Sequence, residues 1–453
     1  MRELANTKPL EVLLDLIKAQ KYPEAIKRFV NLRPADQAEI FNSLDDEERT
    51  KIIEHLDISA TADLFDELED DETLDVAESL PTEKLADILD EMDPDEAADL
   101  LGDLSPGQAK AALAHMEEPE EVIPLLAYPD ETAGGRMTTA YVTLQRRTTV
   151  AQAIHFLQEV SPDSDVPYYL FVVDKDKKLI GVVGLRALVI AKPSEYIENI
   201  MDPHVVYVNA QTDQEEAARI MTRYDLSALP VVDEQRRLIG VITHDDILDV
   251  LEDEATEDIY RLASVSDTDL KPDSPITEQL RGRLPWLLLN TCTAMFAAWI
   301  ISNFKDLFVQ VAVLAFFQSV VAGQGGNAAS QNVAMFVRAI ALKKIEVKNI
   351  WWILIKQLIV GLLQGIVIGL IVGLGVSFWQ HNPFLGLVIG LALICNSLVA
   401  VTVGTLIPLF LKSVGQDPAL ASSVLVTAAT DSFGFLIFLS LAKVFLPYIQ
   451  HYL

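Results

Sequence analysis

The chain has 453 residues and a formal net charge of −31, and half of its residues are hydrophobic. These properties belong to different parts of the chain. Of the charged residues, 62 of 66 acids and 25 of 35 bases precede residue 281, so the first 280 residues carry −37 and the remainder +6. A strongly anionic part is a poor partner for nucleic acid or anionic lipid, and favours metal cations.

Catalysis and secretion are both disfavoured by the residue pattern. No phosphate-binding glycine loop and no grouping of Ser, His and Asp occurs, so we expect no enzyme. The cysteines, Cys292 and Cys395, lie 103 residues apart in apolar segments and predict neither a metal site nor a disulfide. The first residues lack a basic stretch followed by an apolar run, which argues against a signal peptide.

Residues 1–130 repeat with a period of twelve. One apolar column recurs every twelve residues and a second lies four residues before it, which places each pair on one helix face. Ser or Asp followed by Pro, as at Ser105-Pro106, is typical of a helix start. The pattern predicts an α-helical solenoid of short helices. The columns are Leu44, Leu56, Leu68, Leu80, Met92, Leu104, Met116 and Ile40, Ile52, Leu64, Val76, Ile88, Leu100, Ala112.

A third column of this repeat is acidic. It comprises Asp63, Asp75, Asp87 and Asp99, and Asp95 lies four residues before the last of them. A solvated helix face explains most of these acids. The alternative is that one edge of the solenoid meets a second acidic surface and needs cations between them.

Residues 131–250 alternate strands with helices, and the pattern occurs twice. The segment "VVD" at 172–174 matches 231–233, and "LIGVV" at 179–183 matches "LIGVI" at 238–242, with an excess of residues near 161–166 in the first copy. This repeat resembles a tandem CBS pair of α/β modules, at about 137–200 and 201–250. The resemblance implies an adenosine nucleotide site using Thr243 and Asp246, but the first copy has Gly184 and Ala187 there, so a plain dimerising module is the alternative.

An acidic connecting segment follows at 244–275. Its apolar stripe predicts a helix, yet no Lys or Arg precedes Arg261. Like charges four residues apart destabilise an isolated helix, and such local conflicts tend to lie at functional places. A cation-sensitive rod attached to a pore is therefore one interpretation, and a solvated linker is the other.

Residues 281–453 contain five apolar runs, at 284–304, 307–322 with its continuation, 350–379, 384–411 and 419–446. Basic residues near Arg281 and Arg338 mark one side, and positive residues mark the cytoplasmic side. This predicts a plasma (inner) membrane protein of five spans with a cytoplasmic N-terminus and an outside C-terminus. The "GQGGNAASQN" stretch at 323–332 predicts a break near the membrane. The four-residue spacing of Gly361, Gly365, Gly369 and Gly373 predicts close helix packing.

One carboxylate, Asp431, lies near the middle of the last run. A charge at that depth costs roughly 3 kcal/mol or more unless it faces water or a partner. Ser423, Thr427 and Asp431 are four residues apart and share one helix face. Oxygen ligands without nitrogen or sulfur suit Mg²⁺ or Ca²⁺, so the stripe predicts a cation pathway; a carboxylate that packs against another helix is the alternative.

The order of parts, with "GGNAASQ" and "DPALASSVLVTAATD", resembles the MgtE family of magnesium channels over the whole chain. The resemblance implies a homodimer in a lipid bilayer, with Mg²⁺ near Asp431 of both subunits and Asp417 at the inner mouth. Ser423 stands where a carboxamide is expected. Regulatory Mg²⁺ ligands would be Asp63, Asp95, Asp99, Glu215, Asp225, Asp246, Asp249, Glu254, Glu257 and Asp258.

Three functions therefore remain open. The first is import of Mg²⁺ that stops when cytosolic Mg²⁺ bridges the acidic domains. The second is transport of another divalent cation such as Co²⁺ or Mn²⁺ under regulation by Mg²⁺. The third is a non-conducting membrane sensor that uses the CBS pair.

Overall fold

The structure, a computed structural model, describes residues 12–13, 16–17, 21–160, 169–266, 270–272, 274–345, 350–419 and 422–452. It divides into two compact units, residues 1–252 and 253–453. The connecting helix, His244–Leu262, contributes its first part to one unit and its last part to the other. The extra residues of the first CBS module, 161–166, lie outside the described residues.

The solenoid is built from short helices whose starts follow the repeat. Helices begin at Ile58, Thr82, Pro94 and Pro106, directly after the predicted cap or turn residues. Ser105 Oγ accepts the Gln108 N–H in support of the last of these. The helices are Tyr22–Phe29, Pro34–Asn42, Asp46–His55, Ile58–Phe65, Asp70–Ser79, Thr82–Leu89, Pro94–Asp103, Pro106–Leu113 and Pro119–Val122, followed by a 3₁₀ turn, Leu125–Ala127.

Both apolar columns form the core of the solenoid, as predicted. Ile52, Leu64 and Ile88 are fully buried, and Leu80 and Val76 are partly buried against the same core. Helices of ten and eight residues alternate from Asp46 to Leu113, and most of them pack against the helix two positions further on. The structural repeat is therefore a pair of helices, twice the twelve-residue period of the sequence.

Each module of the second region carries a three-stranded sheet with a central second strand. In the first module β1 (Thr143–Gln145) is parallel to β2 (Tyr169–Val173), which is antiparallel to β3 (Leu179–Gly184). In the second, β4 (Val208–Asn209) and β6 (Leu238–Thr243) flank β5 (Ala228–Val232) in the same order. The helices and 3₁₀ turn of this region are Val150–Val160, Leu185–Ile190, Ile197–Asn199 and Gln214–Tyr224.

The two modules exchange their opening segments. Thr138, which precedes the first module, pairs with Val241 in β6, and Asp202 pairs with Val182 in β3. The Met that opens each copy covers a glycine of the opposite sheet: Met201 lies against Gly181, where an added Cβ would lie 2.5 Å from its sulfur. This exchange makes the repeated modules one folding entity, which the internal repeat alone did not predict.

The second unit contains the long apolar helices. Among the described residues, four helices are long and apolar enough to cross a membrane: Ile276–Ser302, Ile350–Trp379, Pro383–Ser413 and Ser422–Val444. We call these the first, third, fourth and fifth membrane helices. Leu314–Ala341 stands in the second predicted span; its 28 residues are long enough, but Gln, Asn and Gly lower its hydropathy. Short helices occupy Lys305–Gln310 and Leu446–Gln450.

The predicted break at 323–332 is wrong. These residues lie inside the continuous helix Leu314–Ala341, and Gly325 and Asn332 of the stretch pack against the fourth membrane helix. Asn396 of the fourth membrane helix donates to the carbonyl of Val321 at 2.8 Å, and Asn332 donates to the Val401 carbonyl at 2.9 Å. Amide groups therefore join these helices across the apolar interior rather than line a gap.

The glycine spacing of the third membrane helix has the role that was predicted. All four glycines are buried against the fourth membrane helix. A Cβ at Gly369 would lie 2.7 Å from the Gly390 carbonyl oxygen, and one at Gly373 would lie 2.8 Å from that of Gly386. The backbones thus approach closely along the whole contact.

Gly325→Ala is expected to lower the stability of the membrane unit, because an added Cβ would overlap the side-chain amide of Asn396 and break its bond to Val321. The expected cost is about 1–3 kcal/mol for overpacking. Gly326→Ala is the matched control, since no heavy atom lies within 4 Å of its added Cβ. Thermal unfolding in detergent measures both variants; equal midpoints would contradict the packing argument.

Candidate cation sites

Asp431 lies in the fifth membrane helix on a face that is only partly buried. Val426, Thr430 and Phe438 of the same helix are, by contrast, fully buried. Ser423, Thr427 and Asp431 are each of intermediate exposure, and within the described part of the chain the Asp431 carboxylate makes no hydrogen bond or ion pair. The stripe is therefore not consumed by helix packing.

A cavity of about 620 Å³ adjoins this stripe within the second unit. Ser423 and Thr427 form part of its wall together with Asn290 of the first membrane helix, and Lys271 and Arg283 are the cationic residues of its lining. At 1.5 Å per residue, Asp431 lies about 6 Å beyond Thr427 along the helix axis. The oxygen stripe thus leads from an open, partly polar space toward the carboxylate.

Asp417, the predicted inner-mouth acid, contacts the end of the connecting helix. Its Oδ2 accepts a hydrogen bond from Arg261 Nη1, and its Oδ1 accepts the Ala419 N–H at 2.7 Å. Arg261 Nη2 also pairs with Glu257, one turn earlier in the connecting helix. One guanidinium therefore contacts two predicted metal ligands.

Asp258 is the third acid of this group. Burial raises the pKa of its carboxyl, the neighbouring Asp417 raises it further, and Arg338 lowers it in part. Three acids and two arginines thus meet in the second unit. The charge of this group remains negative by one when all are ionised.

A second acidic group lies in the first unit. Burial raises the pKa of Glu96 to about 9, with Asp95, Asp99, Asp66 and Asp246 adding to the effect. Burial likewise raises the pKa of Asp99 to about 7, although Arg136 opposes it at 3.8 Å. The helix Pro94–Asp103 therefore brings several carboxylates into a poorly solvated space.

Asp95 of the solenoid lies close to Asp246 of the second module. Burial, and then the charge of Asp246, raise the pKa of Asp95 well above its usual range. Its Oδ1 is buried and has no hydrogen-bond partner among the described residues. Thr243 donates to Asp246 through its hydroxyl at 2.5 Å and its N–H at 3.0 Å, so the two residues predicted for an adenosine nucleotide site lie together in the second module.

The other predicted ligands are more exposed. Asp63, Glu215, Asp225 and Asp249 are exposed, and Glu254 is partly exposed. Within the part of the chain that the structure describes, no group of three or more acidic, His or Cys side chains has the spacing of a metal site. Arginines face the acids at Asp99 and at Asp417, whereas Asp95, Glu96 and Asp246 lie near other carboxylates.

Sequence reasoning missed three residues of these groups. Arg136 and Arg261 supply the opposing charges, and burial raises the pKa of Glu96 to about 9. Arg261 carried a signal, because it is the first basic residue after the acidic run of the connecting helix. Glu96 carried none, since it belongs to no column of the repeat.

Long apolar helices, a stripe of oxygen ligands and paired acidic modules define a multi-pass membrane protein that transports cations. Similarity to known protein families supports this class. A profile described as "Divalent cation transporter" matches residues 318–441, the MgtE intracellular N domain matches 32–131, and CBS domains match 133–193 and 197–253. The chain belongs to the MgtE family.

Similar proteins cover most of the chain. The magnesium transporter MgtE of Thermus thermophilus is 39% identical over 328 residues, 72% of each chain, and that of Enterococcus faecalis is 36% identical over 73% of each. A crystal structure of the cytosolic domain of the Mg²⁺ channel MgtE in complex with ATP has a TM-score of 0.51 at 34% identity, and covers 53% of this chain and 99% of that one. The soluble part of a magnesium transporter matches with the same score and identity, over 55% and 98%.

Proposed function

We propose that the chain imports Mg²⁺ across the plasma (inner) membrane along the Ser423–Thr427–Asp431 stripe, and that cytosolic Mg²⁺ closes the path. The observation that carries the proposal is the unpaired carboxylate of Asp431, one helical turn beyond an open cavity. Family membership supports the cargo, because the curated relatives are magnesium transporters.

The cavity beside the Ser423–Thr427–Asp431 stripe is large enough for a hydrated Mg²⁺ ion. Mg²⁺ gives up its water reluctantly, and six waters occupy about 180 Å³ at roughly 30 Å³ each. The cavity of about 620 Å³ holds such an ion with room to move. Hydroxyl groups of Ser423 and Thr427 hydrogen-bond its water shell, while Asp431 supplies charge. Loose binding of this kind permits release, which conduction requires.

Homodimer formation would place two Asp431 carboxylates on one path and match the charge of a dication. The support for a homodimer is the resemblance to the family. Trp and basic residues around the first membrane helix fit a cytoplasmic start, which puts the solenoid and the CBS pair in the cytosol and the C-terminus outside.

Closure by Mg²⁺ follows from the acidic groups. Two carboxylates 4 Å apart repel by about 4 kcal/mol at an effective dielectric of 20. A divalent ion at Asp95 and Asp246 removes that cost and favours close packing of solenoid and second module. The ion stabilises whichever state binds more of it, and the continuous connecting helix carries the change to the second unit.

Other regulatory ligands belong to the same proposal. Asp99 would complete the site near Asp95, and Asp249, Glu254, Glu257 and Asp258 would bind Mg²⁺ along the connecting helix. Asp63, Glu215 and Asp225, being exposed, would bind it only where a second surface approaches. Catalysis has no place in this proposal.

Adenosine nucleotide at the CBS pair is a second candidate ligand. The Thr243–Asp246 hydrogen bonds support it, as does the ATP complex of the similar cytosolic domain. Because Asp246 also faces Asp95, nucleotide and Mg²⁺ would meet at one carboxylate.

Import and its alternatives are separated by flux into proteoliposomes that contain the purified chain and a Mg²⁺-sensitive dye. We expect Mg²⁺ influx that exceeds influx of Co²⁺ and Mn²⁺ at equal concentration, and that stops when the lumen facing the solenoid contains millimolar Mg²⁺. Larger Co²⁺ or Mn²⁺ influx would support the second function. Absence of any divalent flux, with a growth-rescue assay also negative, would support the sensor.

A further inference from the structure

Arg261 occupies a place where the resemblance predicts metal ligands on both sides. We propose that Arg261 is a built-in cation that holds the end of the connecting helix on the inner-mouth acid Asp417, so that closure has a component independent of Mg²⁺. The inference rests on the proposed function, since it concerns how the same path is closed.

The geometry places one guanidinium between two carboxylates. Nη1 donates to Asp417 Oδ2 and Nη2 pairs with Glu257 Oε1. The side chains of Arg261, Glu257 and Asp417 are 31%, 23% and 24% exposed, so water screens these pairs less than it screens fully exposed ones. The flat fork of arginine suits two carboxylates that approach from different directions.

Asp417 is itself fixed in place. Its second oxygen accepts the Ala419 N–H at 2.7 Å, directly before the fifth membrane helix. A second contact follows in the chain, because Ser264 Oγ lies 2.6 Å from Ser423 Oγ at the start of the stripe. The end of the connecting helix is thus bound at two successive points to the segment that opens the cation path.

The local charge explains why a divalent ion would act in addition to Arg261. Asp258 lies near both Asp417 and Arg338, so the group holds three acids against two arginines. Without Arg261 the connecting helix would present Glu257 and Asp258 to Asp417 with only Arg338 in opposition. Its removal should therefore raise the Mg²⁺ concentration that closes the path.

A simpler role for Arg261 is to stabilise its own helix through Glu257, four residues earlier. The chain offers a control for the loss of a local arginine–carboxylate pair. Arg237 pairs with Asp233, also four residues earlier, at 2.6 Å in the turn between β5 and β6 of the second module. Arg237→Gln removes an i, i+4 pair without touching the second unit.

The first experiment is limited proteolysis of the full chain in lipid nanodiscs with EDTA, using a protease that cuts after acidic residues. It reports cleavage at 253–258 and needs no transport. We expect Arg261→Gln to speed cleavage about fivefold to tenfold, Arg261→Lys to retain most of the protection, and Arg237→Gln to match the wild type. Asp417→Asn removes the acceptor and should speed cleavage as Arg261→Gln does.

The second experiment is the Mg²⁺ dependence of closure in proteoliposomes. Arg261→Gln is expected to raise the half-closing Mg²⁺ concentration by about fivefold to tenfold, with Arg261→Lys in between. Equal cleavage in EDTA for wild type, Arg261→Gln and Asp417→Asn would overturn the inference. A wild type that carries no Mg²⁺ would overturn the proposed function instead, while the proteolysis result would still decide the role of Arg261.

Discussion

Asp431→Ala is expected to abolish Mg²⁺ uptake, with a loss of at least about 100-fold. One unit of charge beside a dication at about 4 Å contributes on the order of 8 kcal/mol at an effective dielectric of 20, and each 1.4 kcal/mol is a factor of ten. A third of that attraction, roughly 2.7 kcal/mol, already corresponds to about a 100-fold loss. Asp431→Asn keeps the shape and should be nearly as impaired, whereas Asp431→Glu should retain part of the flux.

Asp306→Ala is the control for this experiment. Asp306 is an exposed carboxylate of the short helix Lys305–Gln310 in the same unit, so it should leave uptake close to that of the wild type. Folding of every variant is checked by size-exclusion chromatography in detergent. Undiminished uptake by a folded Asp431→Ala variant would remove Asp431 from the path, and with it the proposed route.

The second large effect concerns pH. Because burial raises the pKa of Glu96 to about 9 and that of Asp99 to about 7, folding holds protons that the unfolded segment releases near pH 4. The stability from these groups is complete below that pH and is lost as pH rises to about 9. In the absence of divalent ions, the helix Pro94–Asp103 should therefore open more readily at pH 9 than at pH 6.

Hydrogen–deuterium exchange of the full chain measures this opening at residues 94–103, after correction for the intrinsic rate. One retained proton changes the equilibrium by up to about tenfold per pH unit in this window. Glu96→Gln removes the part that extends to pH 9 and leaves the part due to Asp99. Glu83→Gln, at an exposed position of Thr82–Leu89, should change neither.

The carboxylates around Glu96 also contribute to the expected pH dependence of exchange. Asp95, Asp99, Asp66 and Asp246 all face it, so their ionisation contributes to the same loss. Protection that stays constant from pH 6 to pH 9 in the wild type would show that these carboxylates are well solvated. It would then remove the repulsion on which closure by Mg²⁺ depends.

Local sequence patterns were sufficient to predict the elements whose formation depends mainly on residues close together in the chain. The twelve-residue columns predicted the helix starts at Ile58, Thr82, Pro94 and Pro106, because caps and apolar spacing act within a single turn. The repeat "VVD" and "LIGV" likewise predicted two equivalent sheets, and their register shifts fall at the same place, Val172/Val173 and Val231/Val232. The glycine spacing predicted the close contact of the third and fourth membrane helices.

The same reasoning failed at 323–332, where glycines and amides are typical both of a break and of close packing. Composition alone does not distinguish the two, because the answer depends on which neighbour receives each amide. Asn396 and Asn332 bond to carbonyls on adjacent helices, and that satisfaction lets the helix continue. The exchange of opening segments between the modules is likewise a matter of long-range pairing.

The sequence by itself determined the division into an acidic part and an apolar part, the elements of each, and the single carboxylate of the last span. Only the tertiary structure decided which acids meet. Charge–charge interactions depend on distance and solvent exposure, and neither is encoded in the spacing of residues along one chain segment. Asp95 lies 151 positions before Asp246, and Arg261 lies 156 before Asp417. Folding alone brings these partners together.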